Sequence, residues 1–146
     1  MIELIFVIVI LGILAAVAIP RLAATRDDAE VTRALANFAT AINDFGTYYT
    51  SQATFATVGE MTNVINFDDL TANFGGNVAA NFQVRSGNAA VNCITFTPTV
   101  ATGTLTLTAN NGGDQVCTDV LADPKVDGYI SNNGGQIIFG GSRVVR

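Results

Sequence analysis

From Leu4 to Pro20 the chain carries no Asp, Glu, Lys or Arg, and its apolar positions fall on every side of a helical wheel. About seventeen residues at 1.5 Å each give roughly 25 Å of helix, just short of a bilayer's hydrocarbon core. Such a helix needs apolar surroundings on all faces. Lipid supplies them, and so does a bundle of identical helices. Glu3 stands at the lip of this run, where a carboxylate is costly in an apolar phase unless a cation meets it. Gly12 and Pro20 are helix-breaking positions within or at the end of the run. A proline in a helix interior removes a hydrogen bond and crowds the preceding turn, at about 3 kcal/mol.

Beyond Pro20 the pattern becomes one-sided. Val31, Leu35, Phe38, Ile42, Phe45 and Tyr49 recur at alternating spacings of four and three, which places them in one stripe on a helix. Arg26, Asp28, Thr32, Arg33, Asn37, Asn43 and Asp44 form the opposite, wet face. Glu30 and Arg33 are spaced for an i,i+3 ion pair, worth only tenths of a kcal/mol. These patterns predict a single helix of about fifty residues, ending at Tyr49 or Ser51, roughly 75 Å long. The stripe spans under three heptads and is rich in aromatics, which favours packing on a sheet over a coiled-coil seam.

Residues 52–90 show no sustained period and are rich in Gly and Asn, as expected for an irregular connection with short helical or strand pieces. The segments "VNCITFTPT" and "TGTLTLTAN" alternate apolar residues with threonine and predict two strands joined by a turn at "VATG". A loop at "NNGGD" leads to a third predicted strand, "QVCTDV", and "GQIIFGG" to a fourth, with "RVVR" ending the chain against the sheet. The fold class is therefore α+β, a long N-terminal helix whose second half packs on a small antiparallel β-sheet head. Residues 1–25 form the apolar segment and 26–146 the head.

Composition narrows the chemistry. Charged residues make up only 13 % of the chain and the net charge is −5, so nucleic acid is not an expected partner. Histidine is absent, which removes the commonest general base and metal ligand, and no catalytic triad is recognisable. The chain is read as non-enzymatic, with no cofactor. Asp119, Asp123 and Asp127, around "DPKVDGY", are weak calcium candidates. They lack EF-hand spacing, and acids beside Pro and Gly are ordinary turn formers, so the expectation is a solvated turn. Seventeen threonines offer hydroxyls for strand faces or for O-linked sugars.

Cys93 and Cys117 pair as one disulfide in an exported chain, or stay as two buried thiols in a cytosolic one. In a simple meander they would flank the middle strand at roughly 9–10 Å, beyond the 4.4–6.8 Å a disulfide allows. A bridge therefore requires the segment after "NNGGD" to cross back toward the first strand or to leave the sheet. The crossing is the expected arrangement.

Three readings of the N-terminal run compete. "AVA" at Ala16–Ala18 suits a signal-peptide cleavage site, but Glu3 occupies the place of a basic n-region. A plain single-span anchor leaves Glu3 without a purpose. A helix that lives first in a membrane and later inside an assembly uses every residue.

The stretch "MIELIFVIVILGILAAVAIPRLAATRDDAE" resembles the start of a type IV pilin or a type II secretion pseudopilin, through the acid at Glu3, Gly12 and Pro20 in the apolar run, and the small, charged residues that follow. The resemblance covers about the first thirty residues. It implies the type IV pilin fold and a helical filament of identical subunits, held in the inner membrane before export by separate assembly machinery. It implies too that Glu3 pairs with the N-terminal amine of a neighbouring subunit, registering the two, that the helix partly unwinds near Gly12 and Pro20, and that Cys93 and Cys117 close a C-terminal disulfide loop. Family members are processed after a glycine and carry the acid fifth in the mature chain. Here it is third, so a leader and two mature residues are expected ahead of Met1, or else an alternative start codon. A pseudopilin of a periplasmic secretion filament and a single-span anchored binding protein are the rival readings.

Overall fold

The computed structural model describes residues 1–140. Helix α1 runs unbroken from Ile2 to Gln52, about 76 Å at 1.5 Å per residue. Ala53 ends it in the left-handed region, its N–H returning to the Tyr49 carbonyl. Gly12 and Pro20, named above as helix breakers, interrupt nothing in the single chain. Each weakens one position, while the hydrogen bonds of the flanking turns continue on either side.

After α1 come a short helix α2 (Val58–Met61), a 3-10 turn at Phe74–Gly76, and strands β1 (Ala80–Ser86), β2 (Ala89–Thr99) and β3 (Thr104–Ala109). Helices α3 (Gln115–Ala122) and α4 (Pro124–Ser131) follow, then β4 (Gln136–Ile138). The four strands form one antiparallel sheet in the order β1-β2-β3-β4. The α+β architecture, the long helix and the small antiparallel sheet agree with the sequence pattern.

Strand β1 lies inside the stretch expected to be irregular. Ala80, Phe82 and Val84 turn into the core, while Asn81, Gln83 and Arg85 point outward. Its free edge is covered by residues 66–68: the Gln83 N–H donates to the Asn66 carbonyl, and the Asp68 N–H to the Asn81 carbonyl at 3.0 Å. A sheet edge protected this way offers no template for stray pairing.

Two segments differ from expectation. "QVCTDV" is not a third strand but helix α3, and "DPKVDGY" is not a turn but the body of α4. The caps decide both. The Asp114 carboxylate accepts from the Cys117 N–H at 3.0 Å, and the Asp123 carboxylate from the Lys125 N–H at 2.9 Å, with Pro124 in the first turn of α4. Val116, Cys117 and Val120 are buried at helical spacing. The return from α4 to β4 needs Gly135 (φ 78°), because a Cβ there would run into the Leu107 carbonyl oxygen. "RVVR" lies outside the described residues.

The core sits between the striped half of α1 and the inner face of the sheet. Phe38, Phe45, Phe67, Phe74, Phe82 and Phe96 fill it, mostly edge-to-face or tilted, with centroids such as Phe67–Phe96 at 5.3 Å and Phe45–Phe74 at 5.5 Å. Ala34 and Ala41 extend the buried stripe, while Val31, Leu35 and Tyr49 are only partly covered. The wet face is also less wet than its sequence. Asn37 donates to the Asn66 side-chain oxygen at 2.7 Å, and the Thr62 hydroxyl donates to Asp44 at 2.6 Å, tying the α1–β1 connection back to the helix. Glu60 closes a capping box on Thr57, whose hydroxyl and N–H hold its carboxyl below the usual range.

Candidate functional site

The outstanding surface is the first half of α1. Fourteen large apolar residues from Ile2 to Leu22 are 40–85 % exposed, and no part of the most apolar window is covered by the chain itself. The mean hydropathy of that window is 3.1. The helix is long and apolar enough to cross a membrane. Covering these side chains would release on the order of 20 kcal/mol, more than a small domain's whole stability. Space around Gly12 is open, with nothing within 4 Å of an added Cβ. The chain's own packing therefore gives no reason for a glycine there.

Glu3 lies in the first turn of α1, where its charge also faces the positive end of the helix dipole. Among the described residues the one ion pair within 4 Å is Arg33–Glu30, at 3.8 Å, so Glu3 has no cation partner among them. The expected i,i+3 pair is thus present and loose.

The second feature is the disulfide. Cys93 on β2 and Cys117 on α3 are bridged, with Cα atoms 5.5 Å apart and both residues fully buried. The chain crosses back to Cys93 as expected above, the Asn110 N–H donating to the Cys93 carbonyl at 2.7 Å, but not as a strand. It leaves the sheet as α3, which packs on α1 and β1. A register shift helps: Phe82 faces Ile94 while Gln83 faces Asn92, leaving Cys93 as the extra residue of a bulge. Cys93 and Ile94 are consecutive yet both buried, the bulge adding a residue to the alternation of a one-faced strand. The bridge closes a separation of 24 residues, worth about 3 kcal/mol in the chain-entropy model.

Asp114 places Cys117 at the start of α3. The Ser86 hydroxyl, aided by the Cys117 and Val116 N–H groups, holds its carboxyl below the usual value, with burial opposing them. A depressed carboxyl stabilises the fold above its unfolded pKa, and that contribution is lost as pH falls through the folded value. Asp114→Ala is therefore expected to cost about 1 kcal/mol at pH 7 in urea titrations. Asp114→Asn keeps the cap but should show a shallower loss of stability below about pH 4 than the parent chain.

The weak calcium candidates do not converge. Asp119 accepts from Gln115, Asp123 caps α4, and Asp127 accepts from the Ser131 hydroxyl at 2.6 Å. No group of three metal-ligating side chains forms among the described residues. Each acid serves its own helix.

No model of a known protein family matches the chain, and no curated protein or solved structure matches it either.

Proposed function

We propose that this chain is the structural subunit of a type IV pilus-like helical filament, used for adhesion, motility or DNA uptake. The observation that carries the reading is the uncovered apolar half of α1, continuous with a folded head and bearing in its first turn a carboxylate with no ion-pair partner among the described residues. Before assembly the apolar half rests in the inner membrane, with the head in the periplasm. In the filament it joins the core, where neighbouring helices replace lipid, and the head faces outward. Glu3 then meets the N-terminal amine of an adjacent copy, a pairing that low dielectric makes strong. The subunit carries no catalytic role in this scheme.

Shearing cells that express the chain, then identifying the released polymer by mass spectrometry and electron microscopy, tests the proposal. Long extracellular filaments built of this chain are expected. Short assemblies confined to the periplasm would instead indicate a secretion pseudopilin. A chain that stays monomeric in the membrane would overturn the filament reading in favour of an anchored binding protein.

A further inference from the structure

Where α1, residues 65–66 and the β1–β2 hairpin meet, the head holds an open cavity of 340 Å³. That is room for a ligand of monosaccharide size. The buried Ala34 and Val84 lie beneath it, and the apolar Ile65, 72 % exposed, stands at its rim. Arg33 and Arg85 both line it, drawn from opposite elements, with Glu30 the acid beside them. Arg33 meets Glu30 through a single 3.8 Å contact, so most of its five donors are unused. Arg85 has no carboxylate within ion-pair distance among the described residues. The wall behind them is fixed: the Asn66 amide accepts from Asn37 and donates to the Gln83 carbonyl, while the Gln83 amide donates to Asn92.

Two guanidinium groups against one carboxylate give this cavity a positive surplus in a chain of net charge −5. A donor-rich, positive mouth with an apolar rim at Ile65 selects a ligand with an acceptor-rich negative end and a CH face. The guanidinium fork matches the oxygens of a carboxylate or a phosphate. We infer that the cavity binds the oxyanion of a small organic ligand, the carboxylate of an acidic sugar or the phosphate of a sugar phosphate. Arg85 and Arg33 take the oxyanion, and the exposed Ile65 takes the CH face. Glu30 is the internal competitor that a ligand displaces from Arg33. This inference stands independently of filament assembly.

The full chain in non-ionic detergent micelles, titrated calorimetrically with glucuronate, glucose 6-phosphate and glucose at low salt, tests it. At least one of the two anions is expected to bind saturably and glucose not to bind; which anion binds identifies the oxyanion. Arg85→Gln, at an exposed position whose fold is checked by circular dichroism, should weaken binding about tenfold or more. Glu30→Gln should strengthen it several-fold by releasing Arg33, and about 0.5 M salt should weaken it. Absence of saturable binding by both anions, equal binding of glucose, or unchanged affinity in Arg85→Gln would overturn the inference.

Discussion

Glu3→Ala is expected to abolish filaments in the sheared fraction while the chain accumulates in the membrane with its head intact. The carboxylate's proposed partner is the amine of another copy, and removing one member of a desolvated pair costs about 3–5 kcal/mol. That lowers each subunit contact roughly 100- to 4000-fold, and the loss repeats at every subunit of a polymer. The head should be indifferent. Glu3 precedes Glu30, where partial burial of α1 begins, by 27 residues, about 40 Å along the helix. Electron microscopy of the sheared fraction, with immunoblots of membranes and near-ultraviolet circular dichroism of the purified chain, separates assembly from folding. Glu3→Gln keeps the shape and removes the charge, so it should fail almost as completely. Normal filaments from either variant would sink the registration role.

The largest expected effect on the head comes from Phe96→Ala. Phe96 is fully buried on β2, with the rings of Phe67 at 5.3 Å, Phe38 at 6.0 Å, Phe45 at 6.1 Å and Phe82 at 6.3 Å. Truncation removes the transfer energy of the ring and leaves a cavity its neighbours cannot close, at about 3–5 kcal/mol. Lost edge-to-face contacts fall within the same figure. Against the 5–15 kcal/mol typical of a domain, roughly a fifth or more of the head's stability would go. Denaturant titrations followed by near-ultraviolet circular dichroism should show the loss, with Phe96→Leu milder. A cost below about 1 kcal/mol would mean the ring cluster yields more readily than its packing implies.

Legibility in the sequence followed locality. Helix α1 was readable because each half carries its own pattern, apolar all round and then a stripe. Strands β2 and β3 were readable because threonine alternates with buried residues, as with Leu105 and Leu107. Strand β1 was hidden among Gly and Asn, although "ANFQVRS" alternates once its partner is known. In α3, the β-branched Val116, Thr118 and Val120 outweighed the cue that mattered, Asp114 as an N-cap. The bulge at Cys93 depends on the register of another strand and has no local signature, so the crossing to the disulfide was legible while the bulge and the helical form of the crossing segment were not. Glu3 and the apolar run are written in consecutive residues. The cavity between Arg33 and Arg85 exists only after folding brings together residues fifty-two apart.

The continuity of α1 has a consequence for how the head can evolve. One rod carries both the uncovered and the covered surfaces, so the bearing of the head around that rod is counted in residues. Inserting a single residue between Ala24 and Ala29 would swing the head by about 100° and shift it by about 1.5 Å; four residues would swing it by only about 40° and shift it by about 6 Å. One- and two-residue changes in length there are therefore the disruptive ones, and additions of three or four residues come closest to keeping the head's original heading.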